Sequence, residues 1–401
     1  MLVDLLVELA PEVYGPHVVY ENGRKVLYVQ VIRALYGMLV AALLWYQKFR
    51  ADLESIGFKF TPYDPSVANR DVDGKQHTVG FHVDDLKSSH KDPQVNTDFL
   101  AWLNKMYGDH GEVKATRGKI HEYLGMKLDF TQPGKVIIDM VDYINKMVDD
   151  FDDFKPDDIA STSAGTNLFA AGKGQLDQSR SEKFRTFVAK GLFACKRARP
   201  DTHTTIAILC TRVQKPSLTD WQKLVRLMKY LNGTRSDKLT LAADDLHVIK
   251  HYVDASFAVH PDFRSHTGKG STMGTGCFDG MSSKQKINTR SSTESEVVGG
   301  DDASTKVLWT KLFMEAQGFE IKRNILYQDN KSAILLETNG KASSSPRTRA
   351  MNIRYFFLTD QIKQGNLEVE YVPTEDMIGD FFTKPLQGKQ FAKFKKLIMG
   401  N

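Results

Sequence analysis

Four acidic residues stand where a chain can bring carboxylates together. Asp254 follows the β-rich run Val248 to Val253, and Glu296 lies in the first turns after Ser291-Ser292-Thr293. Asp329 follows the short apolar run Ile325 to Gln328, and Asp380 opens the tail Phe381-Phe382-Thr383-Lys384-Pro385-Leu386. Carboxylates gathered above a sheet repel one another and are costly unless divalent cations neutralise them. Two Mg²⁺ ions (or Mn²⁺) roughly 4 Å apart would suit in-line attack of water on a phosphodiester, one activating the nucleophile and the other stabilising the leaving oxygen. Taken singly, each acid is more readily a surface residue or a helix cap. Only their joint placement points to chemistry.

A second acidic feature lies upstream. Gln76 to Val83 reads as a hairpin strand running into His82-Val83-Asp84-Asp85-Leu86. Adjacent aspartates at such a place commonly cap or solvate a turn. The alternative is a metal-binding hairpin that aims Asp84 and Asp85 at a divalent cation, positioning a triphosphate and activating a 3′-hydroxyl. The residues alone leave both open.

The elements that must position these acids can be read from periodicity and capping. In the C-terminal part the spacing predicts a strand over 248–253, a glycine-rich hairpin over 265–280, and a helix that starts within 289–296, capped by a Ser or Thr there, and continues to Gln317. A strand over 325–328, helices over 331–337 and 353–364, a strand over 367–372 and a last helix follow. Strands first and helices after is the pattern of an α/β domain with a mixed sheet. Upstream, Lys25 to Val31 reads as a strand. Met38 to Ile56 reads as a helix with Leu43, Tyr46, Phe49, Leu53 and Ile56 on one stripe and Gly57 as its stop. Pro65 and Asp71 to Gly74 read as turns. Asp139 to Phe154 reads as an amphipathic helix, and Phe184 to Lys196 and Thr219 to Leu231 as two more. Acidic Asp149 to Asp158, followed by the Ser, Gly, Thr and Ala-rich stretch Ser161 to Ser181, makes the best candidate linker. Lys196, Arg197 and Arg199 form a basic cluster that either contacts phosphates or complements a helix end. Lys284, Lys286 and Arg290 pose the same pair of readings.

Bulk properties narrow the class. The 401 residues suffice for two or three domains, and 41% hydrophobic with 26% charged residues is a globular rather than a disordered balance. A net charge of +5 is compatible with a polyanionic partner but does not argue for one. Three cysteines without a C-x-x-C pair exclude a zinc module and a disulfide framework, which reads as a reducing compartment. Ala34 to Tyr46, the longest apolar run, is too short to span a bilayer, so the expectation is an intracellular protein with no membrane partner.

Several stretches together resemble one family. Arg33-Ala34-Leu35-Tyr36-Gly37, Trp45-Tyr46, Gly57-Phe58, Tyr63-Asp64-Pro65 and His82-Val83-Asp84-Asp85 are similar to the polymerase segment of copia-type retrotransposon polyproteins, with His82 where the family usually has tyrosine. His121 to Asp129 is similar to the hairpin after the catalytic turn. Tyr252-Val253-Asp254-Ala255, Ser291 to Glu296, Asp329-Asn330-Lys331-Ser332-Ala333 and Tyr371-Val372-Pro373-Thr374 with Asp380 to Leu386 resemble, in order and spacing, the family's ribonuclease H domain. A segment over 347–355 departs from the family by carrying Ala350 where histidine is usual.

The resemblance implies a multidomain fold, α/β and α+β. Residues 1–150 would be a truncated reverse-transcriptase palm and thumb-like domain, 151–247 a linker and helical connection, and 248–401 a ribonuclease H-like domain with a mixed sheet. Asp254, Glu296, Asp329 and Asp380 would be the catalytic and metal-binding tetrad. Glu296 is preferred to Glu294 because Val297 and the small residues after it match the family's buried helix face. Asp84 and Asp85 would be two of three palm carboxylates and also metal ligands. The family's first palm aspartate lies upstream of the segment matching Arg33 to Gly37, so the resemblance implies an incomplete polymerase, or one needing a missing N-terminal polyprotein portion. The implied retained activity is Mg²⁺- or Mn²⁺-dependent cleavage of RNA in RNA–DNA hybrids. Partners would be the hybrid and template-primer nucleic acid, and the location cytoplasmic, in a virus-like particle, or nuclear. The rival expectation is a non-catalytic nucleic-acid-binding relic of a retroelement.

Overall fold

Val248 to Ser256 is rich in residues that suit a pleated, buried surface, and it forms the central strand β1 (Val248–Ser256) of a five-stranded sheet in a computed structural model that describes residues 2–30, 38–343 and 352–401. After β1 come β2 (His266–Thr272), β3 (Asp279–Lys284), α1 (Ser292–Ala316), β4 (Arg323–Gln328), α2 (Lys331–Asn339), α3 (Asn352–Lys363), β5 (Glu368–Tyr371), α4 (Asp380–Thr383) and α5 (Gly388–Met399). The strand order is β3-β2-β1-β4-β5. β1 pairs antiparallel with β2, from Lys250↔Thr272 to Ser256↔His266, and β2 pairs antiparallel with β3. β4 lies parallel to β1, from Val248↔Arg323 to Tyr252↔Tyr327, and β5 lies parallel to β4. The expected mixed sheet is therefore present. Its parallel edge follows from the helices between strands, since a parallel return needs a crossover of a dozen or more residues.

Both faces of this sheet are covered, which is why every residue of β2 is buried. On one face α1 packs through Ala303 and Val307 against Val253, Leu326, Leu358 and Leu367. Gly299 of α1 comes so close to β1 that a Cβ there would lie 3.3 Å from the Ala255 Cβ. On the other face α4 lies on β2: a Cβ on Gly268 would meet Thr383 Cγ2 at 2.6 Å and the Phe382 carbonyl carbon at 2.8 Å. Phe381, Phe382, Phe391, Phe394 and Ile398 there share one core with Ile144, Phe151, Phe184, Phe187, Trp221 and Leu224 from upstream helices.

The chain divides into two compact units, Met1–Lys59 with Phe81–Leu86, and Phe60–Gly80 with Lys87–Asn401. In the first, the strand expected to reach Val31 is only Arg24–Leu27, paired with Val18–Glu21 across Asn22 (φ 49) and Gly23 (φ 75). The expected helix is found at Leu39–Ser55, stopped before Gly57 at φ 89. Its buried stripe is narrower than the apolar pattern suggested: Phe49 and Leu53 are buried, whereas Leu43 is 52% exposed. The motif Arg33 to Gly37 lies outside the described residues.

In the larger unit, strand Asp64–Val72 includes Pro65, which was expected in a turn; the turn is the two-residue Asp73-Gly74, both at positive φ. The hairpin expected around His121 is Ile120–Tyr123 with Met126–Asp129. The helix expected over 139–154 covers only Val141–Asp149, because Asp139 ends a strand, its carboxylate accepting from the Val141 amide at 2.8 Å. The stretch Ser161 to Ser181 is not a loose linker. Thr162, Ser163, Ala164, Leu168, Phe169 and Leu176 are buried, Gln387 Nε2 donates to the Ala164 carbonyl at 2.9 Å, and Asp177 caps helix Gln178–Cys195. The small polar residues of the stretch pack because their hydroxyls find partners.

Of the basic cluster, Arg199 is committed inward, whereas Lys196 is exposed and Arg197 half-buried. Arg199 is 1% exposed and donates to both Asp201 oxygens at 2.9 and 2.8 Å and to the Thr234 carbonyl at 3.1 Å, so it cannot meet a phosphate. Tyr230 OH donates to Asp201 as well. Lys196 and Arg197 donate to the carbonyls of Gly280 and Leu124. Among the described residues no helix is long and apolar enough to cross a membrane.

Two outcomes follow from this packing. Gly268→Ala should lower unfolding free energy by about 1–3 kcal/mol in urea denaturation, the usual cost of overpacking a tight contact. Glu337 of α2 is fully buried, and among the described residues neither of its oxygens has a hydrogen-bond partner; burial alone pushes its carboxyl from 4.5 to about 8. A raised folded-state value stabilises below the ordinary value and is lost as pH rises through about 8. Stability should therefore fall across that window more steeply in the wild type than in Glu337→Gln, a difference read from chemical denaturation at several pH values.

Candidate metal centre

Asp254 sits inside β1, not beyond its end, since the strand runs on to Ser256. Its neighbour in space, Glu296, is set by the start of α1. Ser291 accepts from the Glu294 amide at 3.2 Å, and Glu294 Oε2 accepts from the Arg290 amide at 2.6 Å. Glu294 is thereby spent on capping, and Glu296 is the residue that reaches the other acids. Asp329 follows the last residue of β4. Gln328 Oε1 accepts from the Asp329 and Asn330 amides at 3.0 and 3.2 Å, and Asn330 caps α2 through the amides of Ser332 and Ala333. Thr374 Oγ1 donates to Asp329 Oδ2 at 2.8 Å, fixing the carboxylate.

These elements bring one oxygen each from Asp254, Glu296 and Asp329 within 4.8 Å of one another. Asp254 is 2% and Glu296 6% exposed, and Asp329 is half-buried. Asp380, the fourth expected member, is not in that group. It is tied to it through Lys384, whose Nζ lies 2.6 Å from Asp380 Oδ1 and 3.4 Å from Asp254 Oδ1. Thr383 Oγ1 donates to Asp254 Oδ2.

The electrostatics have the signature of crowded carboxylates. Burial first, then the charges of Asp254 and Asp329, push the Glu296 carboxyl well above the usual range. Lys384 and the Gln328 side chain act the other way, the latter without closing a hydrogen bond, so that Glu296 Oε2 is buried with no partner among the described residues. Asp380 is raised to about 7 by burial and by Asp254, against the pull of Lys384. Burial disfavours the Lys384 ammonium, but Asp254 and Asp380 outweigh that and hold it charged. An orphaned carboxylate oxygen facing two further carboxylates is a donor set that fits a hard divalent cation.

Asp84 and Asp85 are placed differently. Asp84 shares a two-residue turn with Val83, whose φ is 53, and Asp85 begins strand Asp85–Ser89; both side chains are exposed. Trp45 Nε1 donates to the Val83 carbonyl at 2.8 Å, and Phe49 packs edge-on to Phe81 at 4.9 Å, so the turn is anchored from beneath. Among the described residues no third His, Cys, Asp or Glu joins the two aspartates in a group as close as that around Asp254. Of the basic residues expected near phosphates, Lys284 pairs with Asp262 at 2.6 Å, while Lys286 and Arg290 are exposed. Ala350 lies outside the described residues.

Residue-level reading missed Thr374, Thr383, Lys384 and Gln328 as parts of the site. For Lys384 a signal existed: it stands four residues after Asp380, the spacing at which an ion pair forms on one helical face.

Comparison with known proteins gives three findings. Residues 9–159 match the family described as reverse transcriptase (RNA-dependent DNA polymerase). The chain is 25% identical over 386 residues to the Retrovirus-related Pol polyprotein from transposon TNT 1-94 of Nicotiana tabacum, covering 94% of this chain and 28% of that one. It is 27% identical over 376 residues to the Retrovirus-related Pol polyprotein from transposon RE1 of Arabidopsis thaliana, covering 91% of this chain and 24% of that one. The chain thus spans about a quarter of the length of these curated relatives. A crystal structure of Prototype Foamy Virus Protease-Reverse Transcriptase is similar over 95% of this chain and 43% of its own at 15% identity, with a TM-score of 0.24, too low to establish a shared fold.

Removing one of the crowded charges should be visible without any substrate. In chelator-treated protein, Glu296→Gln should raise unfolding free energy by about 1–3 kcal/mol, the scale of an uncompensated buried polar group. Added Mg²⁺ should raise the melting temperature of the wild type and leave that of Glu296→Gln nearly unchanged.

Proposed function

Because this chain belongs to the copia-type retrotransposon polyprotein family, we propose that residues 248–401 form a ribonuclease H-like domain that cleaves the RNA strand of RNA–DNA hybrids. Residues 1–150 are then the reverse-transcriptase palm and thumb-like part carrying Asp84 and Asp85, and 151–247 the connection between them. The observation that carries the nuclease reading is the convergence of Asp254, Glu296 and Asp329 on a sheet of order β3-β2-β1-β4-β5, at a strand, a helix start and a strand end. Three carboxylates from three separate elements are expensive to bury together unless a cation belongs between them.

Asp254, Glu296 and Asp329 would hold Mg²⁺ or Mn²⁺, with Asp380 beside them. Such a cation supplies Lewis acidity for in-line attack of water on a phosphodiester. The chain's own groups fix the rest. Thr383 and Thr374 donate to Asp254 and Asp329 and so orient those two carboxylates. The capping bond of Glu294 fixes the first turn of α1 and with it the direction of Glu296. Exposed Lys286 and Arg290, just before α1, are suited to phosphates of the duplex. Preference for RNA would rest on its 2′-hydroxyls and the shape of the hybrid.

The test uses purified chain, a labelled hybrid and Mg²⁺. Wild type should cut the RNA strand endonucleolytically. Asp329→Asn should lower the rate on the order of 10²-fold or more, since loss of an outer partner of a metal ligand already costs 10–100-fold. Equal cleavage by the two proteins would sink the assignment. Hybrid binding with a steep salt dependence and no turnover would favour the relic reading instead.

A further inference from the structure

The two oxygens of Asp254 have different partners from the same short segment. Thr383 Oγ1 donates to Oδ2, and Lys384 Nζ lies 3.4 Å from Oδ1. The same ammonium is 2.6 Å from Asp380 Oδ1. Lys384 therefore sits between two of the four expected carboxylates, and the close group of three leaves out the one that Lys384 holds most tightly. A divalent cation shared by Asp254 and Asp380 would need oxygens at about 2.0–2.1 Å for Mg²⁺, in space where the ammonium already lies. Two cations at such separation also repel each other strongly in a partly desolvated pocket.

The placement of Lys384 is built into the fold. It directly follows the four-residue α4, whose Phe381 and Phe382 are buried, and its backbone is extended at φ −123 and ψ 140, as suits the residue before Pro385. Its side chain is 37% exposed, so the flexible stem can turn outward without disturbing the core.

The geometry points to Lys384 as a resident cation that withholds Asp380 from the ligand set. A divalent cation would enter first against Asp254, Glu296 and Asp329, and a second one between Asp254 and Asp380 only once Lys384 turns away. Lys384 is a positioning residue here, since it acts through Asp254 and Asp380. This inference rests on the ribonuclease reading, yet it concerns the order of cation binding and is tested without hydrolysis.

The experiment is titration of the full, nucleic-acid-free chain with Mn²⁺, following free Mn²⁺ by electron paramagnetic resonance. Wild type should bind one Mn²⁺ and then a second on the order of tenfold or more weakly, the scale on which outer partners alter metal affinity. Lys384→Met should bring the second affinity up towards the first by about the same factor. Asp380→Asn should abolish the weak event and leave the tight one, and circular dichroism melts of both variants check that they fold. Two equal events in wild type, an unchanged ratio in Lys384→Met, or loss of the tight event in Asp380→Asn would each overturn the inference. Wild type that binds no Mn²⁺ overturns the ribonuclease reading and this inference with it. Ordered binding without cleavage of a hybrid counts against the ribonuclease reading alone and upholds the order of binding.

Discussion

Like-charge repulsion among Asp254, Glu296 and Asp329 is the constraint that the C-terminal part of the chain is built to withstand. Carboxylates on a flexible surface would turn apart and hydrate. Here they cannot, because each is fixed to a different rigid element and two of the three are almost dry. β1 and β4 are neighbours in one sheet, which sets the separation of Asp254 and Asp329 by hydrogen-bond register. α1 is held down on that sheet by the close approach of Gly299 to Ala255, and α4 by that of Gly268 to Phe382 and Thr383. Glycine at 268 is a requirement of contact distance, and at 299 it keeps a tight contact unstrained. A side chain at Gly268 would force α4, and with it Lys384 and Asp380, off the sheet, while one at Gly299 would press α1 against Ala255.

The same constraint explains the contrast between the two acidic features. Asp84 and Asp85 stand in an exposed turn, where water screens them and nothing needs to neutralise them. Asp254 and Glu296 stand where water does not reach, and the cost shows in a carboxyl pushed far above its usual range and an oxygen without a partner. Adjacent acids in sequence are cheap. Acids brought together by folding are not, so their persistence calls for a counter-charge.

Much of this was legible beforehand. Strand and helix order in the C-terminal part followed from alternation and capping, and one serine of the expected stretch, Ser291, caps α1. The choice of Glu296 over Glu294 for the cluster is a matter of helical phase: the first-turn acid satisfies the cap, and the one two residues later points elsewhere. What was not legible depended on partners distant in sequence. Arg199 looked like a free basic residue because its pairing with nearby Asp201 is buried only when Thr234 and Tyr230, distant in sequence, close over the pair. The stretch after Ser161 looked like a spacer because its buried hydroxyls, Thr162 and Ser163 among them, meet their distant partners Gln387 and Thr205 only in the fold. Leu43 looked buried from periodicity, which reports a face but not whether anything covers it.

The shared core of the helices has a consequence for how the chain can be divided. Phe381, Phe391, Phe394 and Ile398 are buried against Trp221, Leu224, Leu227 and Tyr230, residues on the far side of the boundary that the strand pattern suggests near 247. A boundary of pattern is therefore not a boundary of cohesion. Hydrolysis of one peptide bond between Gly233 and Val248 would leave two polypeptides clasped by an unbroken aromatic seam, whereas residues 248–401 made alone would open that seam to water and invite self-association through it.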